Sequence, residues 1–233
     1  MIIDINVYWR LVWPGGKGVA MKVTKAQVEE NRAHIVATAS ALFRERGYDG
    51  VGIAELMAAA GFTHGGFYKH FGSKADLMAE AAATTISGAV ADNEGTDLVE
   101  FFKSYVSRAH RDARDVGCTM AALCADAARQ PEDLKATFAD GIDSMITTLA
   151  REAATLSAVD RREARANMID AFAHAVGAVV LSRACPDDSQ LADEILDVCR
   201  RKILASLSPP ERNKRAKGKH PLGSDRARPA VRS

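Results

Sequence analysis

From Thr24 onward the apolar positions fall at helical spacing. Ile35, Ala39, Leu42 and Phe43 stand at i, i+4, i+7 and i+8, the stripe of a helix that buries one face. Thr24 and Gln27 have the spacing of a capping box ahead of it, and Gly47 offers a left-handed stop. A short second helix is predicted over 53–60, with Ile53, Leu56, Met57 and Ala60 on one face and Gly61 at its end. Thr63 carries the hydroxyl to cap a third helix. On that helix Phe67 and Phe71 face the core at i, i+4, while His64, Tyr68 and Lys69 are left to the other side. Ser73 and Asp76 open a longer helix.

The pattern stays helical beyond Ser73. Leu98, Phe101, Phe102, Tyr105 and Ala109 form one stripe. Pro131 starts another helix at the tolerated first-turn position, with Leu134, Phe138, Ile142, Met145 and Leu149 turned inward. The run DRRE, residues 160 to 163, has capping-box spacing. Two final helices are apolar on more than one side: Met168, Ile169, Phe172, Val176, Val179 and Val180 in 164–183, and Leu191, Ile195 and Val198 beside Leu196, Cys199, Ile203 and Leu207 in 190–207. A helix apolar on two sides needs two partners. One is the domain's own core, and the other is expected to be the same helices of a second subunit, packed as a four-helix bundle about a twofold axis. Met168, Phe172, Ala175, Val179, Leu191, Ile195 and Val198 are the expected interface, with Ala175, Gly177 and Ala178 allowing close approach.

Two short helices joined by a tight glycine-containing turn and braced by a longer first helix describe a helix-turn-helix unit, whose second helix enters a DNA major groove. The stretch GFTHGGFYKHFGSK, residues 61 to 74, fits that role. Gly65 and Gly66 each cost a helix interior about 1 kcal/mol, a cost understandable where the backbone must approach another surface closely. Composition agrees with an all-α chain: 47% of the 233 residues are hydrophobic and 6% aromatic. The net charge of +1 is unevenly spread, because residues 208–233 hold eight Lys/Arg against two Asp/Glu and so carry +6, leaving −5 on the rest.

At these residues the chain resembles the TetR family of bacterial repressors. FRERGYDGVGIAELMAAAGFTHGGFYKHFGSKADLMAEA is similar to the DNA-binding region of that family, and the specific element is the run Phe-Tyr-x-His-Phe-x-Ser-Lys with Thr-x-Gly upstream. The resemblance covers residues 28–81. It implies that Thr63, Tyr68, His70 and Lys74 hold the phosphate backbone, and that His64, Gly65 and Lys69 face base edges. Gly52 departs from the pattern: it can cap the second helix but offers no side-chain donor where such proteins usually have a hydroxyl. The resemblance also implies a homodimer that reads a palindromic double-stranded operator and a small-molecule effector bound in the C-terminal helices.

Four units follow: a leader, 1–21, without signal-peptide character and expected to be disordered; a helix-turn-helix domain, 22–72; a helical effector-binding and dimerisation domain, 73–207; and a basic tail, 208–233, expected to be disordered. No segment is long and apolar enough for a membrane. Cys118, Cys124, Cys185 and Cys199 form no CxxC pair and suit a reducing compartment, the cytoplasm. His64 and His70 lie six apart with no Cys or Glu at ligand spacing, so no metal or other cofactor is implied. No nucleophile–base pair and no phosphate loop suggest an enzyme.

The effector is expected to be mostly apolar. Phe101, Phe102, Tyr105, Met120, Phe138, Met145 and Phe172 are the large side chains available to it, with His110, Cys124 and His174 as the few groups able to orient it. Two alternatives stand beside this one. Oxidation or alkylation of Cys118 and Cys124 could be the trigger, or the chain could be a helical interaction module without DNA binding.

Overall fold

The computed structural model describes residues 24–156 and 160–207. The leader 1–21 and the tail 208–233 lie outside the described residues. Nine α-helices and one 3-10 helix are present among the described residues, with no strand. We number the helices α1 Lys25–Arg46, α2 Ile53–Ala59, α3 Lys74–Asp92, α4 Leu98–Tyr105, α5 Arg108–Asp112, α6 Thr119–Ala127, α7 Glu132–Leu156, α8 Arg161–Arg183 and α9 Gln190–Leu207; the 3-10 helix is His64–Lys69.

The head consists of α1, α2 and the 3-10 helix. Thr24 caps α1 by accepting the Gln27 amide at 3.2 Å, whereas the Gln27 side chain turns to Glu30 and Asn31, so only half of the capping box forms. Gly47, at φ +75°, ends α1. Helix α2 closes with Gly61 at φ +78°, the Phe62 amide reaching the Met57 carbonyl and the Gly61 amide that of Ala58. That pair of bonds is a Schellman turn. Ile35, Ala39, Phe43, Leu56, Met57 and Phe67 fill the core beneath.

In the body, α3 runs from the Ser73 cap across α7, which packs on α8, and α8 pairs with α9. The predicted stripe of α7 is present: Leu134, Phe138, Met145 and Leu149 are buried. Asp160 caps α8 by accepting the Arg162 and Glu163 amides at 2.8 and 2.9 Å. The stripe expected to run from Leu98 to Ala109 is broken. The chain bends at Val106, Ser107 caps the separate helix α5 through the His110 amide at 3.2 Å, and the buried position belongs to Val106 while Ala109 is exposed. None of the helices among the described residues is long and apolar enough to cross a membrane.

Candidate nucleic-acid interface and body cavity

The segment between Gly61 and Ser73 is shaped by what it buries. Phe67 and Phe71 are sunk into the head with centroids 5.4 Å apart, which turns Thr63, His64, Gly65, Tyr68 and Lys69 together to solvent. The Tyr68 side chain is 63% exposed, its ring edge-on to Phe67 at 5.2 Å. The helix is 3-10, not the α-helix expected, and the Thr63 hydroxyl makes no cap bond to it. The tighter winding satisfies the Gly66 amide with the Thr63 backbone carbonyl at 2.9 Å. The hydroxyl is therefore left for an outside partner.

Nothing among the described residues requires glycine at 65 or 66. Neither has a positive φ; a β-carbon at Gly65 would meet nothing within 4 Å, and one at Gly66 would make ordinary contacts with Met57 and Thr63 at 3.6 and 3.7 Å. Small size there leaves the outer backbone open to close approach.

His70 and Lys74, assigned to phosphate by resemblance, sit differently from the other five. The His70 ring lies between Phe62 and Phe71 at 6.5 and 6.2 Å, its Nδ1 is buried without a partner, and its carbonyl accepts from Arg32, which also pairs with Glu80 and lies over Phe71. Lys74 Nζ donates to the Tyr48 carbonyl and lies 5.9 Å from the Phe43 ring centre. Both thus hold the head together from inside. Among the described residues, no group of three or more His, Cys, Asp or Glu is arranged to hold a metal ion.

The body contains a cavity of about 360 Å³ between α3, α4, α6, α7 and α8, lined by Phe101, Tyr105, His110, Met120, Met145 and Phe172 together with Cys118 and Arg44. Four of the expected effector residues do not line it. Phe102, about 100° around α4 from Phe101, is fully buried in the core. Phe138 is two turns of α7 before Met145 and belongs to the buried core there. Cys124 lies toward Tyr48, where burial first, and Cys118 second, push its thiol up to about 11. His174 is partly exposed and lies on another side of α8 from Phe172.

The polar wall of the cavity is tightly wired. His110 Nδ1 contacts the Tyr105 carbonyl at 2.7 Å, and Nε2 accepts the Cys118 amide at 3.1 Å, so the proton sits on Nδ1 and the ring is neutral. Burial lowers its pKa, the Tyr105 carbonyl opposing and Arg183 assisting. The Tyr105 hydroxyl is buried beside Cys118; burial foremost, then neighbouring Cys118, raises its pKa well above the ordinary phenol value. At the rim Arg44 Nε donates to the Asp115 carbonyl at 2.7 Å, tying the head's long helix to the loop before α6.

The expected dimer residues are corrected in part. Met168, Phe172, Ala175 and Val179 are at most 4% exposed and form the subunit's own core. The outward apolar face of α8 is the other one: Ile169, Val180 and Leu181 are 45%, 43% and 59% exposed, and a β-carbon at Gly177 between them would meet nothing within 4 Å. On α9, Leu191 and Val198 are exposed and Ile195 is half-buried.

Fold and site together define an all-α protein with a helix-turn-helix head on a helical, cavity-containing body. Residues 35–81, which hold most of the head and the start of α3, match the family model for bacterial regulatory proteins, tetR family. It is 40% identical to the HTH-type transcriptional regulator AcrR of Shigella flexneri over 57 residues, 24% of this chain and 26% of that protein. That match spans about a quarter of the relative's length. Among solved structures, the reduced form of E. coli NemR superposes with a TM-score of 0.63 at 18% identity, over 75% of this chain and 95% of NemR. A TetR transcriptional regulator from Chloroflexus aurantiacus gives a TM-score of 0.60 at 25% identity, over 77% and 95% of the two chains.

Sequence reasoning missed Tyr48, which is 1% exposed and joins the head to α6. Its signal was an aromatic directly after the helix-ending Gly47.

Proposed function

We propose that the chain is a homodimeric, cytoplasmic transcriptional repressor that holds a palindromic operator with its two heads and releases it when a small, mostly apolar molecule fills the body cavity. The observation that carries the DNA reading is the exposed set Thr63, His64, Gly65, Tyr68 and Lys69, grouped around two glycines that no contact among the described residues explains. Thr63 and Tyr68 offer hydroxyls for phosphate, and Lys69 a cation for a base edge or phosphate. The exposed faces of α8 and α9 supply the twofold contact that a reader of two half-sites needs. The names of two relatives, transcriptional regulator AcrR and transcriptional repressor NemR, support regulation by DNA binding over an enzymatic role. In a gel shift with duplex selected from a random pool by the chain itself, the selected DNA should be bound and should contain an inverted repeat. An absence of sequence preference would contradict this function.

A ligand in the cavity would bear on the wall made by Tyr105, Cys118 and Arg44, and would release DNA only by binding the DNA-free arrangement more tightly. A second trigger is favoured by one observation: Cys118, a free cysteine, lines the cavity as the N-cap of α6. Oxidation or alkylation there would act in place of reversible binding. Cys124, raised to about 11, is unsuited to that chemistry. Release of DNA by diamide from the parent chain but not from Cys118→Ser would establish the thiol trigger, and equal release from both would exclude it.

A further inference from the structure

The turn joining α1 to α2 is gripped from outside the head. The Tyr48 amide donates to Asp126 Oδ2 at 3.0 Å, the Tyr48 carbonyl accepts from Lys74, and the Tyr48 ring stands edge-on to Phe43 with centroids 5.1 Å apart. Asp126 presses so closely on the turn that a β-carbon at Gly47 would lie 2.6 Å from its Oδ2. Its other oxygen accepts from Arg129 at 2.7 Å, so the carboxylate is oriented from the turn that follows its own helix.

That helix is α6, and its other end is at the cavity. Cys118, the N-cap, lines the cavity and donates its amide to His110. Nine residues of α-helix span only about 13 Å. One short rigid segment therefore meets the cavity at its first turn and holds the head at its last. The bond it makes there is charge-assisted, and without it a half-buried amide in a tight turn is left unpaired. The direction of that turn sets the direction in which α2 and the 3-10 helix leave α1.

We infer that Asp126 is a positioning residue for operator binding: through the Tyr48 amide it fixes the angle at which each head leaves the body, and so the separation of the two recognition segments in a dimer. This rests on the dimeric DNA reading above. The contacts of Asp126 are with the Gly47–Tyr48 turn and Arg129, so one head should grip one half-site equally well without it.

The test compares the full-length chain with Asp126→Ala and Asp126→Asn on two duplexes, the palindrome selected by the parent chain and its isolated half-site. Asp126→Ala should lose about tenfold in affinity for the palindrome and stay within about twofold on the half-site, while Asp126→Asn, which keeps an oxygen for the Tyr48 amide, stays within about threefold on both. Hydrogen exchange at the Tyr48 amide should quicken in Asp126→Ala alone. Unchanged palindrome affinity, or equal losses on both duplexes, would overturn the inference, the second outcome marking a role in folding the head. Should Asp126→Ala not fold, Asp126→Ser, too short to reach Tyr48 but still polar, carries the same comparison. A parent chain that binds palindrome and half-site equally would overturn the dimer reading itself, and that is visible before any variant is made.

Discussion

Head and body are both helical, but they are specified over different distances. In the head, the bonds that end the helices join residues close in sequence: Gln27 to Thr24, Gly47 to Phe43, Phe62 to Met57. In the body, helices are also tied to one another by bonds between residues farther apart: Arg108 to Asp193, Arg183 to the Arg111 carbonyl, Ser182 to the Ala192 carbonyl. A module fixed locally presents the same chemistry in any context, which suits a DNA reader. A body fixed by long-range packing can change its cavity without losing its fold, which suits a variable ligand.

The contrast can be broken most severely at the exposed face of α8 and α9. Leu181→Asp with Leu191→Asp should leave each subunit folded but monomeric by analytical ultracentrifugation, and palindrome binding should fall at least about 100-fold, since two unpaired charges would have to be buried in the interface. Half-site binding should persist. Next in size is the head's own core: Phe67→Ala should cost about 3–5 kcal/mol of head stability, read by thermal unfolding followed at the head, with the body's transition largely retained. At the surface, Tyr68→Phe should weaken selected and random duplexes together by about 1 kcal/mol, whereas Lys69→Ala should alter which bases are selected. Retained binding and selectivity in both would remove the recognition assignment.

The smallest expected effect is one of pH on the body. The folded pKa of His110 lies below its ordinary value, so the unfolded chain binds the proton more readily. Stability from the neutral ring is complete above about pH 6.5 and falls as pH drops below it toward the folded pKa. The melting temperature of the body should therefore decline over that window in the parent chain and decline less in His110→Gln.

What could be read from the sequence followed the same division. Gly47, Gly61 and Ser73 act within one turn of themselves, so their roles were legible. Thr63 failed as a side-chain cap because the helix after it is wound as 3-10, a choice made by the burial of Phe67 and Phe71 together. On α8, periodicity revealed two apolar faces but could not say which one faces α7. Met168 and Phe172 went to the subunit core and Ile169 and Leu181 outward because of packing against helices far along the chain. Phe102, Phe138, Cys124 and His174, expected at the effector site, do not line the cavity for the same reason, since a stripe identifies a buried side but not the gap within it. The bend at Val106 had a local signal, Ser107 ahead of a new first turn.

The pairing of two fixed heads by one dimeric body is tested most directly by hydroxyl-radical footprinting on duplex selected by the full-length chain. Two protected stretches should appear on one face of the DNA, related by an inverted repeat, with half-site centres separated by about one helical turn or a multiple of it. A single protected stretch without symmetry, or uniform protection regardless of sequence, would contradict it.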